Sequence, residues 1–131
     1  MKNKKIYLAG GFKSGWQDRI VELLPNHKFF DPRKHELDNP SDYTDWDLNA
    51  IRQSDLIIAF MEKGNPGGYA LSLEIGYARA LDKKIILIDE HDDIQRKRYF
   101  EMVREVSDEC YDSFDSFLSK IDVLEKYLSS D

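Results

Sequence analysis

The chain has 131 residues, a formal net charge of −6 and a pI near 5.1, with 41% hydrophobic and 34% charged residues. That is one domain, 1–131, with enough apolar material for a true core. The acidic balance and scattered lysines and arginines argue against gripping a nucleic-acid polymer, and no apolar run is long enough to span a membrane.

The basic start, Met1 to Lys5, is followed by only Ile6 to Ala9 before two glycines, too short for a signal core. The one cysteine, Cys110, permits no internal disulfide, so a cytoplasmic location is the expectation. His27, His35 and His91 have no zinc-ligand spacing, and no metal is expected.

Lys5 to Ala9 reads as a buried first strand, running into the loop Gly10-Gly11-Phe12-Lys13-Ser14-Gly15. Apolar residues at Trp16, Ile20, Leu23 and Leu24 have helical spacing, and Pro25-Asn26 ends that helix. His27 to Phe30 is a short second strand, closed by Asp31-Pro32-Arg33. Lys34 to Asp42 is polar and contains Pro40, which predicts a loop. A helix follows over Tyr43 to Ser54, with Ser41 as its N-cap.

Leu56 to Met61 is a continuous apolar run, the mark of a strand buried on both faces. Asn65-Pro66-Gly67-Gly68 is a turn signal and opens a helix over Tyr69 to Leu81. Lys84 to Ile88 is the next buried strand. A polar helix is predicted over Asp93 to Val106, a short strand over Ser107 to Tyr111, and a closing helix over Ser113 to Leu128. The last helix has Phe114, Phe117, Leu118, Ile121, Leu124 and Leu128 on one stripe, suited to core packing or to a subunit contact.

Strand and helix alternate throughout. The expected fold is α/β: a flavodoxin-like or Rossmann-like three-layer sandwich around a parallel sheet of about five strands. Ligands of such sheets bind beyond the carboxyl ends of the strands, where strand order reverses.

One residue on this edge is out of place. Glu74 has Ala70, Leu71, Tyr77 and Ala78 three and four positions away, so a carboxylate lies on a mostly apolar stripe. Burial of a carboxylate raises its pKa and marks a candidate functional group, against the plainer reading of a head that reaches water. Asp47, near a helix start, is a second candidate; Asp42 and Asp45 read as solvated helix charges. Two carboxylates with divergent pKa values can divide nucleophile and acid/base work, as in retaining glycosyl transfer. Tyr7 can hydrogen-bond such a carboxylate.

The glycine loop suits an anion, with Lys13 and Ser14 as contacts, or is simply a tight turn. Phe12, Trp16, Phe30 and Trp46 offer stacking surface for a flat ring, or core packing. The run Asp89-Glu90-His91-Asp92-Asp93 reads as a solvated acidic turn.

Four pieces together resemble the nucleoside 2-deoxyribosyltransferases and the related nucleotide N-glycoside hydrolases. They are Ile6-Tyr7-Leu8-Ala9-Gly10-Gly11-Phe12, Asp31-Pro32-Arg33, Asp47 through Ala59, and Gly67-Gly68-Tyr69-Ala70-Leu71-Ser72-Leu73-Glu74-Ile75-Gly76-Tyr77-Ala78. They span roughly residues 5 to 90. The resemblance implies cleavage or transfer at the N-glycosidic bond of a (deoxy)nucleoside or its 5′-monophosphate. Glu74 would be the nucleophile, Asp47 the acid/base and Tyr7 the residue that orients Glu74. Substrate contacts would come from Gly10, Gly11, Phe12, Lys13, Ser14, Trp16, Asp31 and Gly68. Lys13 stands where the 5′-phosphate hydrolases carry a basic residue. Many transferases have an acidic residue just before the nucleophile helix, and Asn65 to Gly68 contains none. The resemblance further implies a small-molecule nucleoside or nucleotide partner, a homo-oligomer (dimer or higher) and no cofactor. A non-catalytic nucleotide-binding or sensing module on the same fold is the alternative.

Overall fold

The structure, a computed structural model, describes residues 3–65 and 68–130. Pro66 and Gly67 of the predicted turn therefore lie outside the described residues. Among the described residues, five strands form one parallel sheet: β1 (Lys5–Gly10), β2 (Lys28–Phe30), β3 (Leu56–Met61), β4 (Lys84–Asp89) and β5 (Glu109–Tyr111). Their order is β2-β1-β3-β4-β5. This is the flavodoxin-like arrangement, and strand order reverses between β1 and β3.

Alternation along the strands divides the core into two layers. Ile6, Leu8, Leu56, Ile58, Ile86 and Ile88 face α1 (Trp16–Leu23), α6 (Phe114–Leu118) and α7 (Ile121–Ser129). Tyr7, Ala9, Ile57, Ala59, Ile85 and Leu87 face α2 (Pro40–Gln53) and α3 (Tyr69–Ala80). The central strand β3 is buried along its whole length, as its unbroken apolar run requires. Each fully buried Leu or Ile side chain contributes roughly 1.5–3 kcal/mol, so β3 anchors both layers.

Three helices depart from the sequence expectation. First, α2 starts at Pro40 rather than Tyr43, and its N-cap is Asn39 rather than Ser41. Asn39 Oδ1 accepts from the amides of Ser41 (2.9 Å) and Asp42 (3.4 Å). Pro40 occupies the first helical position, where its ring presets φ and its missing N–H is not needed. The residue read as a loop marker is thus a helix starter.

Second, the helix predicted over Asp93 to Val106 is two: α4 (Ile94–Tyr99) and α5 (Glu101–Glu105). The break falls at Phe100, which is buried against the α3 layer. Third, the closing helix breaks between α6 and α7 at Ser119 and Lys120. There the Ser119 hydroxyl donates to the carbonyl of Ser116 at 2.6 Å, diverting an acceptor from the helical ladder. The apolar stripe across the break packs inward: Phe117, Leu124 and Leu128 are buried, with Phe114, Leu118 and Ile121 against them. That stripe is intramolecular packing.

Because α2 and α3 cover the same face as Tyr7, three elements converge at one place. Tyr7 comes from β1, Asp47 from α2 and Glu74 from α3.

Candidate active site

The convergence is direct. The Tyr7 hydroxyl donates to Glu74 Oε2, although 67 residues separate them in sequence. Tyr7 has no exposed surface and Glu74 is only 8% exposed. Both line a cavity of about 220 Å³ beyond β1, together with Asp47. Gly10, Gly11 and Phe12 form one wall, and Gly68, Ala70 and Leu71 another; Pro32 and Asn65 complete it.

Two glycines shape these walls. A Cβ on Gly10 would lie 2.5 Å from the carbonyl oxygen of Phe60, a clash with backbone that cannot move aside, and its φ is +148°. Glycine therefore lets the first loop cross the end of β3 closely. Behind that loop, Trp16 Nε1 and Gln17 Nε2 both donate to the Gly11 carbonyl, at 3.0 and 2.9 Å. Gly68 caps α3 with φ +99°, a left-handed conformation that favours glycine.

The electrostatics follow from burial. Burial pushes Glu74 up to about 7, and the nearby charge of Asp47 adds to this, while the Tyr7 hydrogen bond opposes it. Asp47 is also raised by burial, and His35 pulls it back down. Burial beside two carboxyls keeps the Tyr7 hydroxyl protonated and a donor. Glu74 and Asp47 interact, so the proton retained near neutrality belongs to the pair rather than to either group.

The remaining substrate-contact candidates do not line this cavity themselves. Lys13 lines an adjoining pocket, with Glu62 and Lys63, that shares Gly11, Phe12 and Asn65 with the cavity. The Ser14 hydroxyl donates to Glu62 at 3.0 Å. Trp16 is buried with its ring edge-on to Phe60, so it supports the loop from the core side. Asp31 is buried and occupied by Arg33: it accepts from the Arg33 amide at 3.0 Å and from the guanidinium at 2.6–3.1 Å. It caps the 3-10 turn Pro32–Lys34, so its position serves the turn that delivers Pro32 to the cavity.

Phe12 is 56% exposed at the cavity wall and offers a free ring face. Phe30 and Trp46 pack against each other edge-on. The acidic run after β4 is not simply a solvated turn. Asp89 is fully buried, with Arg104 at 2.8 Å on one oxygen and His91 Nδ1 at 2.8 Å from the other. Among the described residues, no cluster of three or more His, Cys, Asp or Glu is placed to hold a metal ion.

Sequence reasoning missed His35. Its Nε2 lies 3.4 Å from Asp47 Oδ1, and its ring packs against Trp46 with centroids 4.8 Å apart. A lone histidine in a polar stretch carries no periodic signal, so only the fold brings it to Asp47.

The family model described as "Nucleoside 2-deoxyribosyltransferase like" matches residues 3–91. The chain belongs to this family. The matched segment contains Tyr7, Asp47 and Glu74. No curated protein sequence matches this deoxyribosyltransferase-like chain.

Solved structures agree on the fold. A 2-deoxyribosyltransferase from Bacillus psychrosaccharolyticus superposes with a TM-score of 0.69 at 18% identity, over 97% of this chain and 92% of that one. A 2-deoxyribosyltransferase from Leishmania mexicana gives 0.70 at 19% identity, over 91% and 97%. The CMP N-glycosidase BcmB from Clostridium botulinum gives 0.62 at 29% identity, over 92% and 99%. Family membership makes this deoxyribosyltransferase-like protein an enzyme.

Proposed function

We propose that this enzyme cleaves or transfers at the N-glycosidic bond of a (deoxy)nucleoside or nucleoside 5′-monophosphate, using Glu74 as nucleophile. The observation that carries the reading is the buried Tyr7–Glu74 hydrogen bond with Asp47 in the same cavity. Family membership and the N-glycosidase among the structural neighbours support the same bond as the target.

Tyr7 occupies Glu74 Oε2 and so orients the other oxygen for attack. That oxygen bonds to the anomeric carbon as the bond to the base breaks. The bonding pair leaves on the base nitrogen, and Asp47 delivers the proton that neutralises it. The positive charge that builds on the sugar as the bond breaks favours ionised Glu74, and a base nitrogen seated against Asp47 favours the protonated acid there. Substrate thus draws the shared proton to the side where it is used. Water or a second base then attacks the anomeric carbon, Glu74 departs as carboxylate, and Asp47 takes back a proton. Water makes the enzyme a hydrolase; a second base makes it a transferase. Gly10, Gly11, Phe12 and Gly68 are the substrate contacts the cavity supports best. Trp16 and Asp31 act through the loops they support, while Lys13 and Ser14, beside the cavity, are the candidate contacts for a 5′-phosphate.

A homo-oligomer working in the cytoplasm belongs to the same reading. Among the described residues no helix is long and apolar enough to cross a membrane.

The test is a base-release screen over nucleosides and 5′-monophosphates, with and without an acceptor base. Free base from the wild type and none from Glu74→Gln is the expected result. Undiminished release by Glu74→Gln rules the mechanism out.

A further inference from the structure

His35 sits at the exit of the Pro32–Lys34 turn, with only a tenth of its side-chain surface exposed. The Leu37 amide donates to its Nδ1 at 2.9 Å. An imidazole nitrogen that accepts a hydrogen bond has no hydrogen of its own, so the ring hydrogen is on Nε2. Nε2 is the atom 3.4 Å from Asp47 Oδ1. That oxygen is buried and has no hydrogen-bond partner among the described residues.

We propose that His35 is a positioning residue for Asp47, whose Nε2–H holds and stabilises the Asp47 carboxylate once the acid has given up its proton. The inference rests on the acid/base role proposed for Asp47.

Three features fix the ring for this task. The Leu37 amide selects the tautomer. Trp46, the neighbour of Asp47 on α2, packs against the ring and sets its distance. Glu36 adopts φ +53°, a left-handed backbone uncommon for a side-chain-bearing residue, as the chain turns the Leu37 amide back towards His35. Strain of this kind persists where surrounding structure over-determines it, and here it lies one residue from the ring it orients.

Among the described residues, the titratable groups facing Asp47 are Tyr7 from β1, Glu74 from α3 and His35 from the β2–α2 connection. Tyr7 directs its hydrogen to Glu74, and Glu74 shares its charge with Asp47. His35 supplies the donor for the oxygen that lacks one. At 3.4 Å the contact is long for a hydrogen bond, and a small tilt of the ring closes it. When Asp47 protonates the leaving base, a new anion forms in a buried site beside another carboxyl. Stabilising that anion favours the proton transfer. His35 keeps its own hydrogen throughout.

Two variants separate donor from packing. His35→Phe keeps a ring against Trp46 but removes the donor. His35→Gln restores an N–H near the position of Nε2. Carbon-13 labelled aspartate carboxyls are titrated by NMR in the free protein, and base release is followed against pH. In His35→Phe, Asp47 is expected to ionise about one pH unit higher, and the rate profile to shift in the same direction. His35→Gln should return both towards wild type. An unchanged Asp47 titration in His35→Phe, or an equal shift in His35→Gln, overturns the proposal. Absence of base release by wild type overturns the proposed function instead, and the Asp47 titration still decides the role of His35. Circular dichroism confirms that each variant is folded.

Discussion

Tyr7 and Glu74 are joined by a buried hydrogen bond from the middle of β1 to the middle of α3. The bond ties the sheet to the helix that carries the proposed nucleophile. It also favours the ionised form of Glu74 against the burial that disfavours it. Removing either partner separates these effects.

Tyr7→Phe keeps the ring in its fully buried place and deletes only the hydroxyl. Glu74 then loses the interaction that pulls its pKa down, so it ionises above the value of about 7 that it has with Tyr7 present. At neutral pH less of it is carboxylate, and base release slows. The rise of activity with pH should move to higher pH in Tyr7→Phe. A rate-against-pH series on both proteins checks this, and identical acid limbs count against the role of Tyr7.

Glu74→Gln removes the proposed nucleophile while keeping shape and a hydrogen-bonding side chain. Loss of a covalent nucleophile typically costs several orders of magnitude, and at least about 10³-fold is expected in kcat. With a slow or activated substrate, intact-mass spectrometry of the wild type should show a glycosyl adduct. The same experiment on Glu74→Gln should show none.

The same substitution should stabilise the fold at neutral pH. Unfolded, Glu74 ionises near 4.5; folded, near 7. Between these values the unfolded chain has released a proton that the fold retains. Stability from this group is therefore full below about pH 4.5, falls as pH rises, and levels off above about 7. The span corresponds to about 3 kcal/mol. Glu74→Gln has nothing to ionise, so its denaturant midpoint should exceed wild type at pH 8 and approach it at pH 4.5. A variant that is equally stable at both pH values relative to wild type contradicts the buried-acid account.

How this site could be read beforehand depends on the kind of signal each residue carries. The strands β3 and β4 announce themselves as apolar runs, and five alternating units leave few topologies. Glu74 was legible because a charge interrupts an apolar helical stripe. The break at Phe100 was not: a polar amphipathic pattern continues across it, and only burial of that ring against α3 ends α4. Asp31 shows a different limit. Its motif is visible, but the guanidinium that occupies it belongs to Arg33, two residues on, and local sequence does not say whether a carboxylate faces a ligand or its neighbour. Long-range pairings such as His35 with Asp47 have no local pattern at all.

Asp31→Asn distinguishes those two roles. Asp31 accepts several hydrogen bonds from Arg33, and Arg33 also reaches Asp18 at 2.8 Å. The substitution replaces a charge-assisted, bidentate pairing with a weaker neutral one at a buried position. A loss of about 1–3 kcal/mol in stability is expected. The turn then loosens, and Pro32 and His35 lose their fixed positions near the cavity. Because the effect acts through the turn, KM and kcat should both worsen modestly, and the thermal midpoint should fall. A pure substrate contact would raise KM and leave the midpoint unchanged. Chemical denaturation alongside steady-state kinetics separates these outcomes, and an unchanged midpoint with a raised KM would return Asp31 to the substrate side of the cavity.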